Sequence, residues 1–280
     1  MKLLNPVVVL VLALVVPLGG CSLYFGGDDP AARPDGGGGG GGGGGPGELT
    51  GTFQLKKTRA IAGEYPVAGI DSDGAGGVWI AYRLQRGDYY TPDEVHLVHL
   101  DANGVKLADH VSMDESTDVS GIAVAGDALW VNYGGKTGNN EHVRKVDAAT
   151  GERLASYATE DGIVDIDVHG DELRLSNLWN QIISLDVATG GENWRAPVAG
   201  FQDSTQRGIT TMPDGRMWVA SWFGESVYLL DAQHQLLGSG VIEALGYNHT
   251  IDVGLFLAWD GQQLIVVIDN QIIWFTPVPS

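Results

Sequence analysis

Leu129-Trp130-Val131-Asn132-Tyr133, followed after a loop by Val143-Arg144-Lys145-Val146-Asp147-Ala148-Ala149-Thr150-Gly151, reads as two short strands and a turn that opens on aspartate and ends on glycine. The unit recurs. Val78-Trp79-Ile80-Ala81-Tyr82, Leu173-Arg174-Leu175-Ser176-Asn177, Met217-Trp218-Val219-Ala220-Ser221 and Leu264-Ile265-Val266-Val267-Ile268 hold the same place in their own repeats. Their second residues follow one another at intervals of 51, 44, 44 and 47. The turn recurs as Asp101-Ala102-Asn103-Gly104 and Asp186-Val187-Ala188-Thr189-Gly190, with a weaker copy at Asp231-Ala232-Gln233-His234. An aspartate accepts from the backbone two residues on, and a later glycine admits positive φ, as a hairpin turn requires. No long stretch carries helical periodicity, and β-branched and aromatic residues dominate the runs, so the chain reads as all-β.

A period in the forties, made of short strands, is the signature of β-propeller blades. The five copies predict five four-stranded blades; six is the alternative, if the longer first interval hides further strands. The last repeat ends at Ile272-Ile273-Trp274-Phe275-Thr276, its third strand, while Thr52 to Ile61 precedes the first repeat as an unassigned strand. Pairing that strand with the C-terminal blade would close the circle and cover an exposed edge.

Upstream of residue 51 the composition changes. Lys2, the apolar run Val7 to Val16 and Leu18-Gly19-Gly20-Cys21 have the layout of a secretion signal over residues 1–20. The apolar run is shorter than the roughly 20 residues a membrane helix needs. Leu-Gly-Gly-Cys resembles the lipobox of bacterial lipoproteins, which implies lipid on Cys21 and a mature chain that begins there. Ser22 in the next position implies, by the same resemblance, the outer membrane of a Gram-negative envelope. Cys21 is the chain's one cysteine, so no internal disulfide is expected. Residues 21–50 include an unbroken glycine run, Gly36 to Gly45, and read as a flexible tether spanning about 30 Å.

The formal charge is −19, and about −20 once residues 1–20 are removed. Such a surface repels phosphate backbones and anionic headgroups, so nucleic acid is not an expected partner. The membrane is expected to be reached through the lipid on Cys21.

The repeats also resemble known propeller families. Residues 129–132 with 143–151 look like a repeat of the YVTN/NHL type, and Ser184-Leu185-Asp186-Val187-Ala188-Thr189-Gly190-Gly191-Glu192-Asn193-Trp194-Arg195 looks like a quinoprotein repeat. Quinoprotein dehydrogenases have eight blades and a tryptophan in each such repeat. Trp194 alone matches here, which argues against a quinone cofactor. An outer-membrane barrel-assembly lipoprotein shares such repeats, again with eight blades. Lactonase-type propellers hold a metal in the central channel with acids and an asparagine.

Loops after each second strand should gather on one face, with the Asp-opened turns on the other. The first face receives Tyr89, Tyr90, Tyr133, Asn177, Trp179, Asn180, Trp222 and Phe223. Rings supply contact area and amides supply direction, a composition suited to binding a protein or small ligand. Asp165 stands where other repeats have Gly69, Gly121 and Gly208 in the first strand. With Asp118, Asp161 and Asp252 it could form a divalent-metal ring in the channel; no other cofactor is expected. His96 and His99 lie three apart in a strand and point to opposite faces, which disfavours a shared metal. Asp71-Ser72-Asp73-Gly74 lacks the rest of a calcium loop and reads as a hairpin turn. The expectation is a membrane-anchored, non-catalytic propeller presenting a binding face, such as a scaffold of the cell envelope. The alternative is a metal-dependent, lactonase-like hydrolase. No catalytic residue is identified.

Overall fold

The computed structural model describes residues 50–62, 66–84, 94–112, 118–134, 142–159, 162–198, 206–221, 226–242, 255–268 and 270–280, without the side chains of residues 118, 206 and 207. All of them belong to the compact unit Pro46–Ser280. Among these residues there are strands and turns and no helix.

Three sheets are four-stranded, antiparallel and consecutive in the chain. The first is β2 (Val67–Ser72), β3 (Val78–Leu84), β4 (Glu94–Leu100) and β5 (Lys106–Ser112). The second is β6 (Asp118–Ala125), β7 (Ala128–Gly134), β8 (His142–Asp147) and β9 (Arg153–Ala158). The third is β10 (Ile163–His169), β11 (Glu172–Asn177), β12 (Gln181–Asp186) and β13 (Glu192–Pro197). The remaining strands are β1 (Gly51–Ala62), β14 (Gln206–Thr211), β15 (Met217–Ser221), β16 (Ser226–Leu230), β17 (Leu236–Val241), β18 (Phe256–Trp259), β19 (Leu264–Ile268) and β20 (Gln271–Pro279). They form one eight-stranded sheet in the order β14-β15-β16-β17-β1-β20-β19-β18. Within it, β14 to β17 repeat the four-strand pattern, and β18 to β20 complete a second copy with β1.

The second strands are the most apolar and the most deeply buried. β15 and β19 are buried along their whole length, and Trp130 and Trp218 are 0% exposed. These strands face neighbouring sheets on both sides, which is why their sequences are continuous apolar runs. The fourth strands β9 and β13 instead alternate exposed and half-buried residues. Cores form between successive sheets: Trp79 and Leu97 pack with Ile122 and Val131, and Trp130 packs with Ile166 and Leu173. Phe256 and Trp274 pack with Val67 and Ile80, joining the last strands to the first sheet. The first strands adjoin in the same order, β2 by β6, β6 by β10, β10 by β14, β14 by β18, and β18 by β2.

A second device links the sheets at the Asp-opened turns. In each turn the aspartate carboxylate accepts two or more backbone N–H groups, as Asp186 does from Ala188 and Thr189. The outermost strand of one sheet then lands on the turn of the next. His110 of β5 bonds to the Ala148 carbonyl at 2.9 Å. The Tyr157 hydroxyl of β9 donates to the carbonyls of Val187 and Ala188 at 3.1 and 2.9 Å. Arg59 of β1 donates to the carbonyls of Ala102 and Gly76. The turn glycine therefore serves two purposes. Gly190 has φ +71°, and a Cβ there would lie 2.5 Å from the Tyr157 ring. Gly190→Ala is expected to cost about 2–3 kcal/mol, from left-handed strain and displaced Tyr157 hydrogen bonds. Gly126→Ala carries the strain alone, since φ is +60° and nothing lies within 4 Å. Urea melts should separate the two variants by at least about 1 kcal/mol; equal losses would mean that Tyr157 contributes nothing at the turn.

β1 pairs antiparallel with β20 from Ala62↔Gln271 to Phe53↔Pro279, so the strand expected at 52–61 does join the C-terminal repeat. The structure adds a pairing not foreseen from the sequence: Gly51 to Gln54 also run parallel to Gly238 to Val241 of β17. Gly238 and Gly240 make this approach possible. A methyl group on either would run into the Gly51 carbonyl or the Phe53 ring.

Candidate functional site

The hairpin between β11 and β12 is built to hold two large apolar side chains out of the core. The Asn177 side chain, 0% exposed, accepts the backbone N–H groups of Trp179 and Gln181 at 3.1 and 2.9 Å. Its amide donates to Gln181 Oε1 at 3.1 Å. Asn180 takes a left-handed φ of 58°, a conformation that asparagine tolerates through local hydrogen bonding. Leu178 N–H donates to the Gly162 carbonyl, and Val198 N–H to the Asn180 carbonyl. The turn is thus tied to both flanking segments. On this frame Leu178 is 40% and Trp179 59% exposed, with the indole edge over Gly162.

The expected binding-face residues therefore divide. Trp179 and Asn180 sit on the hairpin tip, whereas Asn177 is its buried scaffold. Tyr133 is 2% exposed, with the Arg144 guanidinium 4.5 Å over its ring, and it lines a cleft between the first and second sheets. Tyr89, Tyr90, Trp222 and Phe223 lie outside the described residues, as do Cys21, Asp161, Asp252 and the side chain of Asp118.

A second cluster lies between the first strands. Asp165 of β10 is fully buried and its Oδ2 accepts Ile209 N–H of β14 at 2.9 Å. Asp167, two residues on, accepts Thr211 N–H at 2.7 Å. Asp71 of β2 accepts Val124 N–H of β6 at 2.6 Å. Each carboxylate thus ties its strand to the next sheet's first strand, where no backbone ladder exists. Burial pushes the carboxyls of Asp71 and Asp165 well above the usual range, and like charge adds to it, from Asp167 in both cases. Burial raises Asp167 to about 6, against the opposing pull of its Thr211 hydrogen bonds and the Arg174 charge. Asp71 keeps some accessible surface although protein surrounds it.

Asp165 does replace the glycine found in other repeats. A Cβ on Gly69 would touch the Gly121 backbone, and one on Gly121 would lie 2.9 Å from Asp165 Oδ1. Its carboxylate lies against neighbouring strands, with Oδ2 on Ile209 N–H and Oδ1 toward Gly121. Among the described residues, no three His, Cys, Asp or Glu side chains converge on a common point. His96 bonds to Asp109 and stacks on Tyr82, while His99 bonds to Asp73 and stacks on Trp79. The two imidazoles therefore have separate partners. Asp71 is marked in the sequence by its spacing: it stands two residues past Gly69, as Asp167 stands two past Asp165.

No family model matches the chain, and no curated protein matches it. Among solved structures, the crystal structure of Myxococcus xanthus glutaminyl cyclase superposes with a TM-score of 0.63 at 11% identity, covering 81% of this chain and 98% of that one. The fold is β-propeller-like. A chain of the mitotic checkpoint complex gives a TM-score of 0.47 at 11% identity, covering 94% of this chain and 100% of that one. In the propeller-like fold the Trp179 hairpin lies at the end where second and third strands join. The three aspartates lie along the first strands.

Proposed function

We propose that this chain is a five-bladed β-propeller, held at a membrane by lipid on Cys21, that works as a binding module through the face bearing Trp179. Support for five blades comes from the order in which the first strands adjoin, β18 returning to β2, and from Arg59 of β1 reaching the first sheet. The observation that carries the binding reading is the Leu178–Trp179 pair, exposed on a turn whose N–H groups from Leu178 to Gln181 are all hydrogen-bonded. A rigid, exposed indole loses little entropy on docking and has the character of an interface anchor.

The test is photo-crosslinking in the native cell, with the probe at Trp179 and a control at Gln233 on the opposite face. A discrete adduct at 179 alone is expected. Trp179→Ala should weaken capture of the crosslinked partner at least tenfold while shifting the melting temperature by no more than about 2 °C. Equal adducts at both positions, or none, would remove this face as the binding surface.

A second reading is enzymatic, favoured by the raised Asp167 carboxyl, which titrates where general acid–base chemistry is efficient. The Myxococcus neighbour suggests glutaminyl cyclisation as one assay, and hydrolysis of a lactone with added divalent metal is the other. Turnover lost in Asp167→Asn would support this reading over the first.

A further inference from the structure

We propose that the cleft between the first and second sheets binds a small organic carboxylate with an apolar body. The cleft encloses about 430 Å³ and is lined by His110 and Ser112 of β5, Tyr133 of β7, Arg144 and Val146 of β8, and Arg153 of β9. That volume is within the range of small-molecule sites, roughly 300–1,000 Å³.

Charge makes the cleft unusual in this chain. The sequence holds 35 acidic residues against 16 basic ones, yet two arginines and a histidine line this wall and, among the described residues, no acid does. Arg144 is 8% exposed and its guanidinium lies 4.5 Å over the Tyr133 ring. The ring holds the guanidinium at the cleft wall. A guanidinium carries five N–H donors, so it can keep its protein contacts and still bind a carboxylate side-on. Arg153 enters from the adjacent strand, opposite Val146 in the register.

The remaining lining sets the ligand class. His110 is committed to the Ala148 carbonyl through Nε2, which leaves the Ser112 hydroxyl as a neutral polar group. Val146 and Leu97, both buried, back the cleft with apolar atoms. Two guanidiniums with an apolar backing match a carboxylate on a hydrocarbon or aryl body better than a compact, fully hydrated inorganic anion. This site is independent of the Trp179 face, so either can fail without the other.

Benzoate is the probe, with benzyl alcohol and sulfate as controls, titrated calorimetrically into the full chain. Saturable binding of benzoate and at least tenfold weaker binding of both controls are expected. Arg153→Gln should weaken benzoate at least tenfold while shifting the melting temperature of the ligand-free protein by no more than about 2 °C. Arg144→Lys keeps the charge but loses the planar edge, and should weaken it by a similar factor. No saturable benzoate heat, equal binding of benzyl alcohol, or unchanged affinity in Arg153→Gln would overturn the proposal.

Discussion

Phe53→Ala is expected to lower the folding stability by about 3–5 kcal/mol, the range for truncating a well-packed buried aromatic. Phe53 is 4% exposed and meets Trp218 edge-on at 5.1 Å between centroids. It stands where β1 is paired on both sides, with Pro279 of β20 opposite it and Gly240 of β17 alongside. One ring therefore fills the seam between the two halves of the eight-stranded sheet. Its loss would leave a cavity beside Trp218 and loosen the parallel pairing, which rests on four register positions. Removing β1 altogether would bare the edges of both β17 and β20, and that chain is expected to aggregate rather than fold. Urea denaturation of Phe53→Ala is the measurement. A loss under about 1 kcal/mol would mean that β1 is an ornament on a sheet already complete without it.

The three aspartates between the first strands make stability depend on pH in the direction opposite to most carboxylates. A carboxyl whose pKa is raised by folding binds its proton more tightly in the folded chain. Its contribution is complete below about pH 4 and is lost as pH rises through the folded value. For Asp167 that value is about 6, so the window lies between about pH 4 and 6 and the loss is about 3 kcal/mol. Asp71 and Asp165 are shifted in the same direction and extend the loss further up. Two histidines oppose this over part of the range. His169 and His234 are held below their usual value by burial first, so their protonation favours unfolding as pH falls. Exposed turn aspartates such as Asp147 and Asp186 have lowered values and act only in more acid solution.

Asp167→Asn isolates one contribution. An amide oxygen can still accept Thr211 N–H and carries no charge at any pH. The stability difference between variant and parent should grow in the variant's favour by about 2 kcal/mol from pH 4.5 to 7.5. A difference independent of pH would show that Asp167 does not titrate in that window. Asp165→Ala is the contrasting change. It strands Ile209 N–H in the core, and should cost about 1–3 kcal/mol even in acid.

Strand positions, the Asp-opened turns, the recurring unit and the pairing of residues 52–61 with the C-terminal repeat were legible in the sequence. Each is dictated by local chemistry: alternation, β-branched and aromatic content, an aspartate that accepts from the backbone, a glycine that turns left-handed. Which side chains face outward was not legible in the same way. The first and second strands of the first three sheets pair with a register shift, between Val67 and Gly69, Val119 and Ile122, and Ile163 and Asp165. A one-residue shift exchanges the two faces of a strand. Tyr133 and Asn177 keep the alternation of Val131 and Leu175 and stay buried at the strand ends, because neighbouring sheets cover both faces of the second strands.

Partnerships across the repeats belonged to the tertiary structure alone. Asp71 and Asp167 are 96 positions apart in the chain and feel each other's charge because their strands approach within the same narrow space. β1 reaches β17 because Gly238 and Gly240 have no side chains to hold it off. Local signals specify a strand through its own residues. A contact between distant strands is decided by the volume left for it, and that volume exists only once the sheets have packed.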